Sequence, residues 1–293
     1  MIENPKKEGT KESLIYYTAL LAGLGARVQS LVDELPIDNH QLNSVSRTCI
    51  DAGNTLMFSL LAPAGRSLRL LSRLPDSIEE PGVNLWMRTY VTEQGPAERW
   101  ITRTFLGESA LAWQHALRVA QSVGGEETFR RLHGILGPRG RIYDVTASQD
   151  RNPPRGWVGW QMDRRSSPEE ALTACGMPGT WRAAVPLFEQ VLGHSVHQRY
   201  GPWSISWTLD SEQPFLRIGT TGWARIREDE AKRKRLVSTV TSMGGDGRFA
   251  EALYKLIDAD RPPHLPSRIG RAIEIEFIDD QLHAVEFYLC VPW

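Results

Sequence analysis

The chain has 293 residues, 41% of them apolar and 24% charged, and a formal charge of −1. This is the profile of a globular protein with room for one large domain or two small ones, and with no net basic field to draw nucleic acid. Three cysteines, Cys49, Cys175 and Cys290, are odd in number and far apart; this argues against a disulfide framework or a zinc site and suits a reducing, cytoplasmic setting.

Residues 1–12 are rich in charge and are expected to be disordered. The apolar run from Leu14 to Ala26 is short for a membrane span. Glu3, Glu8 and Glu12 interrupt the basic flank that a signal peptide would need, and the apolar pattern continues amphipathically through Val28, Leu31 and Leu35. The run reads as a first helix, and no membrane association is expected.

From there the chain alternates. A hairpin is predicted over 55–74, turning at Pro63-Ala64-Gly65, and a second over 83–106, turning at Gln94-Gly95-Pro96. A helix, a glycine break and a second helix follow over 109–136. A third hairpin spans 141–162, with its turn at Asn152-Pro153-Pro154, and another helix pair spans 167–192. The fourth hairpin, 203–225, turns near Ser211-Glu212-Gln213, and a third helix pair covers 228–257. The fifth hairpin, 272–290, turns at Asp279-Asp280. In each helix pair a glycine precedes an aromatic residue by five positions: Gly124 and Phe129, Gly176 and Trp181, Gly244 and Phe249. The spacing points to one helix–strand–strand–helix unit used several times.

The fold class expected is α+β: a single domain over 1–293, with ten antiparallel strands closed into a barrel and ringed by helices. Each hairpin has one apolar face for the helices to cover. If the sheet stays open, the polar face is wet surface. If it closes, that face lines a solvent-filled lumen wide enough for a ligand, because ten strands exceed the eight whose side chains just fill a barrel.

Strand alternation assigns the inner face. It takes Met57, Ser59, Ser67, Arg69, Leu71 and Arg73 from the first hairpin, and Trp86, Arg88 and Tyr90, then Arg99, Ile101 and Arg103, from the second. The third gives Asp144, Thr146 and Ser148, then Val158, Trp160 and Met162. The fourth gives Ser204, Ser206 and Thr208, then Arg217, Gly219, Thr221 and Trp223. The fifth gives Glu274, Glu276, Glu286 and Tyr288, with Glu276 nearer the rim. Lysine is absent from this set, whereas arginine recurs among Trp, Tyr, Ser and Thr. Arginine forks grip phosphate oxygens, and aromatic faces stabilise cations.

These residues resemble the aromatic prenyltransferases of the ABBA fold. The first hairpin is similar in length, turn position and Phe58-Ser59, and the fourth in Thr208-Leu209-Asp210 and the later Arg217. The resemblance implies transfer of an allylic prenyl group, dimethylallyl or geranyl, from its diphosphate to an indole or phenol acceptor. Position by position it matches Arg217, Arg69 and Arg103, with Arg99 the alternative to Arg103, to the family's diphosphate ligands; the inner-face pattern adds Arg73 and Arg88 to that site. Such chemistry also needs π-faces around the cation and a group to take a proton from the acceptor, for which the inner face offers Trp86, Tyr90, Trp160, Trp223 and Tyr288, and Glu274 and Glu286. Arg69 stands where Mg2+-dependent members carry aspartate, so no metal or other cofactor is expected. The partners implied are a prenyl diphosphate and a small aromatic substrate, bound by a monomer. Two features depart from the pattern: only "PDSIEEPG" separates the first two hairpins, and Ser206 stands where the family often has a tyrosine. A non-catalytic barrel for a hydrophobic or anionic ligand is the alternative reading.

Other signals are weaker. The KRKR run at 232–235 reads as a solvated helix face. GGDG at 244–247 follows no strand and precedes no GK[ST], so it is no phosphate loop.

Overall fold

The computed structural model describes residues 57–62, 67–73, 83–92, 98–105, 110–148, 152, 154–163, 165–192, 203–210, 216–220, 230–244, 251, 270–278 and 281–290. Residues 1–12, the first expected helix and Trp223 lie outside them, as do the expected turns at 63–65, 94–96, 211–213 and 279–280. Ten strands are described: β1 (Met57–Ala62), β2 (Ser67–Arg73), β3 (Val83–Thr92), β4 (Glu98–Phe105), β5 (Gly140–Ser148), β6 (Gly156–Met162), β7 (Trp203–Thr208), β8 (Leu216–Thr220), β9 (Gly270–Ile278) and β10 (Gln281–Cys290). Five helices lie among them: α1 (Ala110–Ser122), α2 (Glu126–Leu136), α3 (Pro168–Ala174), α4 (Thr180–Leu192) and α5 (Glu230–Ser242). The class is α+β with an antiparallel sheet. Every strand pairs with its neighbours in sequence, and β1 also pairs with β10, Met57 against Cys290 through Ala62 against Val285, so the pairing runs full circle.

The helices cover one face of this sheet because their apolar stripes match it. On α2, Phe129, Leu132 and Leu136 are buried at spacings of three and four, one face of a helix. On α1 the buried stripe is Ala112, Ala116 and Ala120, whose small side chains let the helix lie close to β6. The approach is tight: a Cβ added at Gly156 would stand 2.5 Å from Val119 Cγ1. These stripes join Ile142, Val145, Val158, Trp160, Met162, Ile205, Ile218, Ile275 and Phe277 in one core between helices and sheet. Burial shifts two titratable groups described in this layer. Burial pushes the Cys175 thiol up to about 11, and burial lowers His133, whose ring stacks on Phe129 at 5.7 Å.

The helix pairs begin and end as their residues require. Ser167 caps α3 by accepting from the Glu170 amide at 3.3 Å; Pro168 follows at the first helical position, and Glu169 and Glu170 sit in the first turn. Gly124, Gly176 and Gly244 all adopt the left-handed conformation, with φ of 73°, 89° and 79°. Each ends a helix by donating to a carbonyl three residues back: Gln121, Thr173 and Thr241. The glycine spacing in the sequence therefore marks a shared helix-ending device. Its aromatic partner Phe129 is fully buried, and Trp181 packs partly buried on the core. Phe249 lies outside the described residues.

Candidate active site

The register carries one row of residues across the inner face, the face away from the helices. It runs Asn84, Thr104, Asp144, Gly159, Ser206, Arg217, Glu276 and Ala284, from β3 to β10. Small residues flank the charged ones. Asp144 lies over Gly159 so closely that an added Cβ there would meet its Oδ1 at 1.8 Å and Ser206 Oγ at 2.8 Å. A bulge puts Asp144 in this row: the β5–β6 register slips between Ile142 and Asp144, re-aiming the side chains that follow.

Arg217 is the centre of the row. Its side chain is 5% exposed, and its Nε donates to Glu276 Oε1 at 2.7 Å, with Nη2 2.5 Å from the same oxygen. Glu274 Oε2 stands 3.9 Å from Nη1. The guanidinium carbon lies 4.7 Å from the centre of the Trp157 ring. The second row contains Trp157 opposite Thr146, which in turn is opposite Thr102. The two threonine hydroxyls share a hydrogen bond of 2.8 Å. Trp100 packs against Trp157 with ring centres 4.8 Å apart, and Trp86 Nε1 donates to Thr104 Oγ1 at 3.1 Å. The described part of the inner face is therefore a tryptophan wall beside a buried cation that carboxylates hold. Ordered dipoles and charges in a water-poor enclosure can stabilise a developing anion or cation without reorganising.

For several candidates the description is one of strand register. Arg69 stands opposite Tyr90 and Ser59, Arg73 opposite Trp86, Arg88 opposite Leu71, Glu286 opposite Glu274, and Tyr288 opposite Ser59. Among candidates with described side chains, Arg217 and Glu274 come together and Trp86 shares their face.

Two strands were read with the wrong parity. On β4 the inner residues are Trp100, Thr102 and Thr104, which pair with Ser148, Thr146 and Asp144. Arg99, Ile101 and Arg103 therefore point outward with Phe105, and Arg103 has no place in an inner diphosphate site. Its side chain is half-buried on the outward face. On β6 the inner residues are Trp157, Gly159 and Gln161, opposite Thr208, Ser206 and Ser204. Val158, Trp160 and Met162 belong to the helix-facing core. Trp160 is fully buried there, 6.4 Å from Phe129 in a stacked arrangement, and cannot shield a cation inside. Both strands bury aromatic residues on both faces, so alternation of polarity did not mark the inner side. Glu276, expected near the rim, is buried against Arg217. Trp100 and Trp157 were missed for the same parity reason; the small Gly159, one pleat from Trp157, was the available signal. Asp144 was placed on the correct face but given no role.

Among the described residues no group of three or more His, Cys, Asp or Glu is arranged to hold a metal ion, and no helix is long and apolar enough to cross a membrane.

No protein-family model matches the sequence, and no curated protein matches it. Solved structures do match in fold. The 6-dimethylallyltryptophan synthase from Micromonospora olivasterospora, in complex with DMASPP and Trp, superposes with a TM-score of 0.73 at 13% identity, covering 97% of this chain and 98% of that one. The 5-dimethylallyl tryptophan synthase from Streptomyces coelicolor, in complex with DMASPP and Trp, gives 0.66 at 16% identity over 97% and 95%. AnaPT from Neosartorya fischeri gives 0.66 at 11% identity over 98% and 95%. At these identities the likeness is one of fold, along nearly the whole length of each chain.

Proposed function

We propose that the protein is an aromatic prenyltransferase. It would move an allylic group, dimethylallyl first among the candidates, from its diphosphate to an electron-rich aromatic acceptor of the indole type. The observation that carries this reading is Arg217: a buried cation on the inner face, laid over Trp157, in a fold shared with dimethylallyltryptophan synthases.

The reaction takes place in the lumen of a ten-stranded barrel. Arg217 on β8, with Arg69 and Arg73 on β2 and Arg88 on β3, strands on the far side of the ring of pairings, receives the diphosphate. The C–O bond of the donor breaks heterolytically, and the diphosphate leaves with the electron pair. Positive charges fixed in advance lower the cost of that charge separation. The allylic cation is shielded from water by the π-faces of Trp86, Trp100 and Trp157, together with Tyr90 and Tyr288. The acceptor ring attacks, forming the new C–C bond, and the resulting arenium ion loses its proton. Glu274 and Glu286, cross-strand neighbours on β9 and β10, are the groups that orient the acceptor and take that proton. Arg69, in the place of a metal-binding aspartate, supplies positive charge where Mg2+ would otherwise be needed.

The test is incubation with dimethylallyl and geranyl diphosphates and a panel of indole, tryptophan and phenol acceptors, in EDTA, with products followed by mass. Prenylated indole is expected, and Arg217→Ala should lower kcat/KM by about 10²-fold or more. No product across the panel, together with no binding of diphosphate, overturns the reading. Binding without turnover favours a non-catalytic barrel.

A further inference from the structure

We propose that Glu276 is a positioning residue that sets the aim of Arg217 at the diphosphate. This deepens the reading above and rests on Arg217 being a diphosphate ligand.

An arginine side chain has many rotamers, and the residues opposite and beside Arg217 on the inner face do little to choose among them. Ser206 is its partner on β7, and Gly219 is the next inner residue on its own strand. Orientation therefore has to come from polar contacts. Glu276, its partner on β9, takes one edge of the planar fork: Nε and Nη2 both reach Oε1, at 2.7 and 2.5 Å. Trp157 takes one face, at 4.7 Å. An edge contact and a face contact together fix a flat group in both of the directions in which it can turn. Glu276 can do this because it is itself held, with its side chain 7% exposed and the small Ala284 beside it on β10. Glu274 differs. At 3.9 Å from Nη1 it is beyond hydrogen-bond distance and contributes charge without a fixed angle.

A carboxylate beside an anion-binding arginine has two opposed effects. Its charge repels the incoming anion, and its geometry pre-aims the cation. Our proposal is that geometry wins, and the sign of the change in anion affinity decides the matter.

The experiment measures inorganic pyrophosphate binding to the full chain by calorimetry, at one pH and salt concentration, for wild type, Arg217→Ala, Glu276→Ala and Glu276→Asp. Thermal midpoints are recorded alongside, so that every titration is run well below unfolding. Glu276→Ala is expected to weaken binding about ten-fold or more, the loss of about one well-aimed hydrogen bond to a charged group. Glu276→Asp keeps the charge but withdraws the oxygen by one methylene, and should weaken binding several-fold; it decides the question even if the alanine variant does not fold. Wild-type or tighter binding in Glu276→Ala, or wild-type binding in Glu276→Asp, overturns the proposal and leaves Glu276 a counter-charge. Wild-type binding in Arg217→Ala overturns the proposal together with the assignment of Arg217 on which it rests.

Discussion

Trp157 and Trp160 lie three residues apart on one strand and both are buried, yet they inhabit different solvents. Trp160 stacks on Phe129 in the dry layer between helices and sheet. Trp157 lies under a guanidinium, beside Trp100, across from threonine. The first position asks for volume and shape. The second asks for a π-face at a set distance from a charge. The outer face of the sheet therefore holds the fold together, and the inner face is arranged for polar chemistry that the fold has to tolerate.

The sharpest way to break this contrast is to cut both tryptophans. Trp160→Ala should cost about 3–5 kcal/mol in urea unfolding, with kcat/KM per folded molecule unchanged. Trp157→Phe should cost only the weakened cation–π contact, about 0.5–2 kcal/mol, and should raise KM for the donor. The reverse pattern would mean that the two faces have been assigned the wrong way round. Next in size is the inner hydroxyl pair. Thr102→Val leaves Thr146 without its 2.8 Å partner in a buried place and should cost about 1–3 kcal/mol. The double change Thr102→Val with Thr146→Val should recover part of this, which a double-mutant cycle reads directly.

A smaller effect separates the faces by pH. Burial lowers His133 on the outer layer, so the unfolded chain binds its proton more readily than the folded one. The stability from this group is present above its ordinary value near 6.5 and falls as pH drops through that value towards the folded one. His133→Phe should flatten the acid side of a stability-versus-pH curve and leave the pH profile of turnover unmoved. The smallest effect belongs to the outermost surface. Glu230 and Lys234 on α5 pair at 2.8 Å with both side chains mostly exposed. Glu230→Gln should leave the urea unfolding midpoint indistinguishable from wild type, because solvent already screens the pair.

The sequence was legible where the two faces of a strand differ in polarity. On β9, Ile275 and Phe277 face the core and Glu274 and Glu276 the inside, as alternation requires. The glycines at 124, 176 and 244 were legible because a left-handed helix end admits few other residues. On β4 and β6 the same reasoning failed, because aromatic residues occupy both faces of each strand and the arginines of β4 were assumed to belong inside. The bulge before Asp144 changes register by one residue and leaves no mark in composition. The central contact of the candidate site joins residues 59 positions apart, so only the strand order could bring Arg217 to Glu276.

The helix-ending glycines carry one more consequence. A Cβ added at Gly124 or Gly176 would meet nothing within 4 Å. Space does not demand glycine there; the hand of the residue does. At Gly124, L-alanine would be strained by the positive φ, whereas D-alanine, introduced by chemical ligation, would be at ease in it and would narrow the unfolded ensemble. A position that penalises one enantiomer and favours its mirror image identifies chirality as the constraint that keeps glycine at the joint of each helix pair.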